Sequence, residues 1–352
     1  MPKRAGRKKR SKRRRPNIFI ALLLLVGIFF TIEYVNLKTV DKQAFEVIVP
    51  DTSAVTSIPV KEQTENPKPI IPPKQAEKTF IDLTKTHSLA ILLTDLETGE
   101  TLAEKNSKLK LYPASLTKIM TAILAIEMEP DLEQEIVMQP EYFENLFEME
   151  AAIAGFQEGE KVPFHDLLYG TILPSGADAS LAIAFLLGGS EAGYVDLMNQ
   201  KARELGMADT HFMNATGLHD NLHYSSVHDI SLLLNYALQN DTFYEVFTTE
   251  HYTTEPTNFN LFGVSMNSTV FRFNDEYPVM DEKVIGGKTG FTEEAGQSLA
   301  TLAKIDGKYY TLITAGAGAQ TSGAGPDYIH LSEPFHIVDA SLIYSQLPIE
   351  SR

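Results

Sequence analysis

The chain reads as an α+β domain, an antiparallel sheet flanked by helices with a helical lobe, preceded by one transmembrane helix. Three observations predict this. Apolar strand pairs stand at the two ends of the body, five helical patterns lie between them, and an uncharged apolar run follows a basic head. Strands at both ends imply a sheet closed by its own termini, with the helices packed on it or inserted as a lobe. A cleft between two lobes is a natural ligand site.

In chain order, residues 1–16 form a basic tail carrying ten cations from Lys3 to Arg15 and no acid. Residues 17–35 are the anchor. Asn17 to Ile32 is uncharged and, at about 1.5 Å per helical residue, just long enough for a bilayer core, with Tyr34 and Val35 extending it. The cations place the N-terminus in the cytoplasm and the rest outside. A signal peptide has a similar basic and apolar start, but Thr31 to Val35 lacks the small-x-small pattern of a cleavage site, so the anchor is expected to stay. Residues 36–78 read as an extended stalk, because Pro50, Pro59, Pro67, Pro69, Pro72 and Pro73 interrupt a segment too polar to fold alone. Fully drawn out it would reach about 130 Å.

The folded body spans 79–352. Ser88 to Asp95 is an apolar strand, Thr98-Gly99-Glu100 a turn, and Thr101 to Glu104 the returning strand. Helical periodicity covers Ala114–Met128, Phe164–Leu173, Ala177–Leu187, Glu191–Leu205 and Val227–Leu238, with Ile119, Ile123 and Ile126 as core packing. Ser298–Lys304 and Tyr309–Ala315 form a hairpin about Asp306-Gly307, a favoured two-residue turn. Ser332–Leu347 is the last helix.

Charge and composition narrow the function. The net charge is −16, but ten of the 30 Lys and Arg lie in the tail, leaving twenty against 46 acids and a body near −26. Such a body repels a phosphate backbone, which argues against nucleic acid as a partner. The absence of cysteine excludes disulfides, a thiolate nucleophile and Cys-ligated metal sites.

Three short motifs carry chemistry. In Tyr112-Pro-Ala-Ser-Leu-Thr-Lys118, Ser115 and Lys118 stand one helical turn apart on one face. A serine hydroxyl needs a base, and a lysine serves if burial or a neighbouring cation lowers its pKa. Ser107-Lys-Leu-Lys110 has the same spacing but no apolar helix behind it, and reads as a charged turn. Lys288-Thr289-Gly290 follows Val284-Ile-Gly-Gly287, an apolar entry whose glycines suit a strand edge approached closely by a ligand. Leu173-Pro-Ser-Gly-Ala-Asp-Ala-Ser180 puts Ser175 at a helix start, ordinarily an N-cap position. No metal site is expected from His219, His223, His228 and Asp220, which share no continuous helical face. Glu148, Glu150, Glu158 and Glu160 read as a solvated acidic face.

The order Ser115, Ser175, Lys288 matches the S-x-x-K, S-D-N and K-T-G signature of β-lactamases and penicillin-binding proteins. The sequence resembles the low-molecular-weight penicillin-binding proteins, the serine-type D-alanyl-D-alanine carboxypeptidases. The likeness extends over Tyr112–Ala122, Leu167–Gly170 with Leu173–Gly176, Leu205–Asn214, Gly217–Asp220, His223–Ser225 and Gly287–Gly296. It covers about residues 85 to 345. It implies a β-lactamase/transpeptidase-like fold and no cofactor. It also implies a bacterial cell-membrane location, a peptidoglycan stem peptide ending in D-Ala-D-Ala as substrate, and β-lactam antibiotics as inhibitors. By the same resemblance Ser115 is the acylated nucleophile, Lys118 the general base and Ser175 a proton relay. Lys288, close to Lys118, helps hold the substrate carboxylate, which Thr289 hydrogen-bonds; Gly290 completes the motif. The N–H groups of Ser115 and Phe291 form the oxyanion hole.

One position departs from the pattern. The family's usual Ser-x-Asn is here Ser175-Gly176-Ala177, and alanine cannot make the contacts of an amide. Asp178 lies about 100° further around a helix and does not replace it. The alternatives are a D,D-endopeptidase or β-lactamase using the same site, or a degenerate non-catalytic wall-binding homologue. A class A β-lactamase would need a deacylating glutamate after the second motif, and none is identified. The chain ends soon after its last predicted helix; on that reading the C-terminal β domain and amphipathic helix of many members are missing, and the N-terminal span supplies the tether.

Overall fold

The computed structural model describes residues 81–129, 131–319 and 333–347. The tail, anchor and stalk expected over 1–78 lie outside the described residues. In chain order the elements are β1 (Ala90–Asp95), β2 (Thr101–Lys105), a 3-10 turn (Ala114–Leu116), α1 (Thr117–Met128), β3 (Glu135–Val137) and β4 (Lys161–Pro163). Then come α2 (Phe164–Ile172), α3 (Ala177–Gly188), α4 (Glu191–Glu204), α5 (Val227–Ala237), α6 (Asp241–Thr248), β5 (His251–Thr253) and β6 (Ser265–Asn267). The chain continues through α7 (Pro278–Lys283), β7 (Val284–Thr292), β8 (Gly296–Ile305), β9 (Lys308–Ala317) and α8 (Phe335–Ser345).

Five strands form one antiparallel sheet in the order β2-β1-β9-β8-β7. The first and last strands of the domain pair directly, Leu93 opposite Leu312, which closes the fold as the strand positions predict. The β8–β9 hairpin turns through Asp306 and Gly307, both at positive φ (51° and 82°), the geometry that favours Asp-Gly. Strand β7, which carries Lys288-Thr289-Gly290, is an edge of the sheet.

Helices cover both sheet faces, so the strands read as unbroken apolar runs rather than alternating ones. Ala90, Leu92, Ala300, Leu302 and Ile313 pack against the helical lobe built on α1–α6. Their neighbours Ile91, Leu93, Leu299, Ala303 and Leu312 pack against Ile337, Ala340, Ile343 and Tyr344 of α8. Each of the leucine and isoleucine side chains contributes about 1.5–3 kcal/mol relative to exposure, the alanines less. Helix α1 is buried from Thr117 to Ala125, since it runs between the sheet and the other helices. Ser190, Ser226 and Asn240 cap α4, α5 and α6 by accepting a backbone N–H three residues on.

Three features differ from the sequence reading. The helix expected from Ala114 begins with a 3-10 turn in which Ala114 has φ 47°, at a point that the Gly217 and Gly290 segments approach closely. The sequence reading does not name helix α6, although its buried Phe243, Val246 and Phe247 stand at helical spacing, and the three-residue strands of the β3–β4 and β5–β6 ribbons are too short to carry a period. Glu160 is not on a solvated face: it is fully buried, accepting from Gln157 N, Thr257 Oγ1 and Asn260 Nδ2. The loop Thr257–Asn260 folds over it, and no local pattern announces that contact. Glu148, Glu150 and Glu158 are exposed as expected.

Candidate active site

The site forms where the start of α1 meets the edge strand β7. Ser115, in the 3-10 turn, is half-buried, and Lys118 one turn later is buried. The Lys118 Nζ donates to Ser115 Oγ at 3.2 Å and to the Thr216 carbonyl at 2.5 Å. The predicted face of the Ser-x-x-Lys motif is thus realised. Ser107, the second match, instead donates to Glu104 at 2.5 Å.

The turn is pressed from two sides. A Cβ on Gly217 (φ 77°) would meet the Ala114 carbonyl at 2.0 Å. A Cβ on Gly290 would stand 3.2 Å from Pro113 O, Ala114 Cβ and Ser115 N. With glycine at 290, β7 comes this close to the Ser115 amide without displacing it. A small cleft beside Pro113 and Ala114 continues to His219 and Thr292.

Lys288 of β7 is also fully buried, its Nζ donating to the Thr289 carbonyl at 2.8 Å. Burial is the main cause that brings the Lys118 amine down to about 7, with the charge of Asp178 acting in the opposite direction. Burial also pushes Lys288 well below the usual lysine range, and the Lys118 charge adds to it. The repulsion expected between two amines therefore operates, but desolvation outweighs it. A lysine neutral above about pH 7 and bonded to a serine hydroxyl can take that hydroxyl's proton.

Ser175 is buried at the start of α3, where Gly176, not Ser175, occupies the N-cap, and no side chain caps the helix. The hydroxyl is thereby not consumed by capping. Ser175 has φ 67°, a left-handed conformation that costs a non-glycine residue on the order of 1–3 kcal/mol and must be held by its surroundings. The hold comes from the 151–156 loop, through Ala152 O to Ala177 N at 2.7 Å and Asp178 to Ala154 N at 2.7 Å. Ala177 itself is buried in the apolar cluster.

Thr289 is joined to Thr269 (Oγ1 to Oγ1, 2.6 Å), and Thr269 N donates to Leu173 O at 3.2 Å, linking the Ser175 segment to β7. Phe291, on the same strand, presents a half-exposed ring. All seven residues singled out from the sequence lie on these facing segments. Sequence reading missed Thr216, Thr269 and Asn214. Asn214 Oδ1 accepts from Gly217 N at 2.7 Å and so shapes the loop that offers the Thr216 carbonyl. An Asn two residues before a Thr-Gly turn is the available signal; Thr269 has none. His223 is buried, its Nε2 paired with Thr117 Oγ1 at 2.8 Å, and burial lowers it to about 4. His219 faces Glu294 at 3.7 Å and His228 faces Asp229 at 3.1 Å, so the three histidines serve separate contacts.

Comparison with known proteins shows the family of the chain. The profile of peptidase family S11, D-alanyl-D-alanine carboxypeptidase, matches residues 75–320. The chain is 34% identical over 232 residues to D-alanyl-D-alanine carboxypeptidase DacF of Bacillus subtilis, covering 66% of this chain and 57% of that protein. It is 31% identical over 239 residues to DacA of Escherichia coli, covering 65% and 56%. The chain thus spans little more than half the length of these relatives. The Streptomyces K15 DD-transpeptidase structure superposes with a TM-score of 0.64 at 26% identity, covering 74% of this chain and 97% of that one. With the family profile matching residues 75–320, well over half of the chain, the chain belongs to the D-alanyl-D-alanine carboxypeptidase family, peptidase family S11.

Proposed function

We propose that this chain is a serine D,D-carboxypeptidase that removes the terminal D-alanine from peptidoglycan stem peptides through an acyl-enzyme and is acylated by penicillins. The observation that carries the reading is the 3.2 Å contact between the buried Lys118 amine, lowered to about 7, and the Ser115 hydroxyl, beside the edge of β7. Ser115 Oγ attacks the carbonyl carbon of the penultimate D-alanine as Lys118 takes its proton. The Ser115 and Phe291 N–H groups hold the oxyanion, and Lys288 and Thr289 hold the substrate carboxylate. The C–N bond then breaks, and the proton passes by way of Ser175 to the departing amine. Water cleaves the Ser115 ester and restores the enzyme.

The catalytic domain works outside the cell membrane, on a stalk over 36–78 and a single-pass anchor over 17–35. The ten-cation tail beside an uncharged run supports this topology. Protease added to intact spheroplasts should degrade the domain and leave a tag at residue 1 intact; a protected domain refutes the topology.

The test of activity uses the full chain in detergent with a fluorescent penicillin and, separately, Nα-acetyl-L-Lys-D-Ala-D-Ala. Labelling and D-alanine release, both lost in Ser115→Ala, are expected. Absence of labelling overturns the enzyme reading in favour of a wall-binding role. Labelling with rapid penicillin turnover and no D-alanine release indicates a β-lactamase.

A further inference from the structure

Asp178, the second residue of α3, has a completely buried side chain. Its Oδ1 accepts from Ala154 N at 2.7 Å and its Oδ2 from Gly155 N at 3.2 Å. The same loop receives the Ala177 N–H on the Ala152 carbonyl at 2.7 Å, and Gly176 N donates to Gly170 O at 2.8 Å. The turn bearing Ser175 is therefore clamped between α2 and the 151–156 loop. The clamp is tightly packed: a Cβ on Gly176 would stand 2.6 Å from Ala154 N and 2.7 Å from Asp178 Oδ1.

Burial pushes the Asp178 carboxyl above the usual carboxylate range, and the backbone N–H groups of Ala154, Ala179, Gly155 and Phe156 act against that rise by favouring the carboxylate. The positive end of α3 acts in the same direction as those donors. A buried carboxylate acts over a longer range than an exposed one because little water screens it. When Ser115 gives up its proton, Lys118 becomes an ammonium in that same interior.

We propose that Asp178 is a positioning residue of the acylation site: it locks the Ser175 turn to the 151–156 loop, and its charge balances the Lys118 ammonium formed as Ser115 is deprotonated. The inference rests on the acylation reading above. It gives the second motif a polar anchor although position 177 is alanine, an anchor directed at the loop rather than at substrate.

The test is Asp178→Asn in the full chain, with the rate of fluorescent-penicillin acylation followed from pH 5 to 9. Asparagine keeps an acceptor for Ala154 N and removes the charge. The plateau rate should fall about ten-fold or more, and the acid limb should move to lower pH by about half a unit or more, because the ammonium loses its counter-charge. The titratable groups around Lys118 are Asp178, Lys288 and His223. Lys288 acts against Asp178, and His223, lowered to about 4, is neutral across this window. Asp178→Glu, which retains the charge, should keep the limb at its wild-type position even where acylation slows.

A uniform loss of rate in Asp178→Asn with an unmoved limb reduces Asp178 to a structural clip and overturns the proposal. Should that variant not fold, amide exchange in the wild type decides: Ala154 and Gly155 exchanging as fast as the exposed 147–150 segment removes the clamp. Wild-type labelling that Ser115→Ala abolishes leaves the acylation reading standing whatever Asp178→Asn does. No labelling of the wild type removes both.

Discussion

Lowering the pH should switch off acylation by protonating Lys118, and the burial of that residue sets where this happens. The amine falls from 10.5 to about 7 because it is desolvated, so above that value it is a free base in contact with Ser115. Below it, the free-base fraction drops ten-fold per pH unit, to about 10% at pH 6 and 1% at pH 5. The second-order acylation rate should therefore be level above about pH 8 and fall roughly a hundred-fold from pH 7.5 to pH 5. The assay is fluorescent-penicillin labelling in buffers of constant ionic strength, quenched and read on a gel, with the melting temperature followed alongside. A rate independent of pH between 5 and 8, in protein that stays folded, refutes the assignment of Lys118 as base. The same burial acts on stability. Between pH 7 and 10.5 the unfolded chain holds a proton that folded Lys118 has shed, so this group favours folding increasingly as pH rises. Below pH 7 the cost of the buried ammonium is fully present, on the order of 5 kcal/mol.

Gly290→Ala should slow acylation by about ten- to a hundred-fold with little change in melting temperature, since its Cβ would push the Ser115 amide by a few tenths of an ångström. Unchanged labelling kinetics would show that the close approach of β7 is not needed. Ala177→Asn should leave penicillin acylation detectable while costing about 1–3 kcal/mol of stability, because the new amide enters an apolar cluster; complete loss of labelling would mean a differently organised pocket. Buried His223 and His336, both lowered from 6.5 to about 4, are neutral when folded and take up protons when unfolded below pH 6.5. Stability should thus fall from pH 6.5 to pH 4 by on the order of 2–3 kcal/mol per histidine, and His336→Gln should flatten part of that fall in urea unfolding.

The parts of the fold that were legible in advance are those governed by neighbours in the chain. The Asp306-Gly307 hairpin and the buried runs of β1, β8 and β9 follow from turn chemistry and hydropathy, and α2 to α5 end within about two residues of their periodic segments. The site was legible for a different reason. Ser115 and Lys118 share a helical face by spacing alone, and the resemblance supplied their meeting with Lys288. The short ribbons over 135–163 and 251–267 escaped because three-residue strands carry no period.

By itself the sequence determined which side chains could do serine chemistry, where the longer strands and most of the longer helices lie, and the charge division between the tail and the body. Tertiary structure alone decided how those groups behave. The Lys118 amine is lowered to about 7 because its buried position strips it of water, and Ser175 is held in a left-handed conformation by a loop about twenty residues upstream. Glu160, which reads as a surface charge, is a buried acceptor because Thr257 and Asn260 close over it from nearly a hundred residues away. Local pattern sets conformation through contacts a few residues apart. Desolvation, and with it every shifted pKa in the site, is a sum over neighbours that only the completed fold brings together.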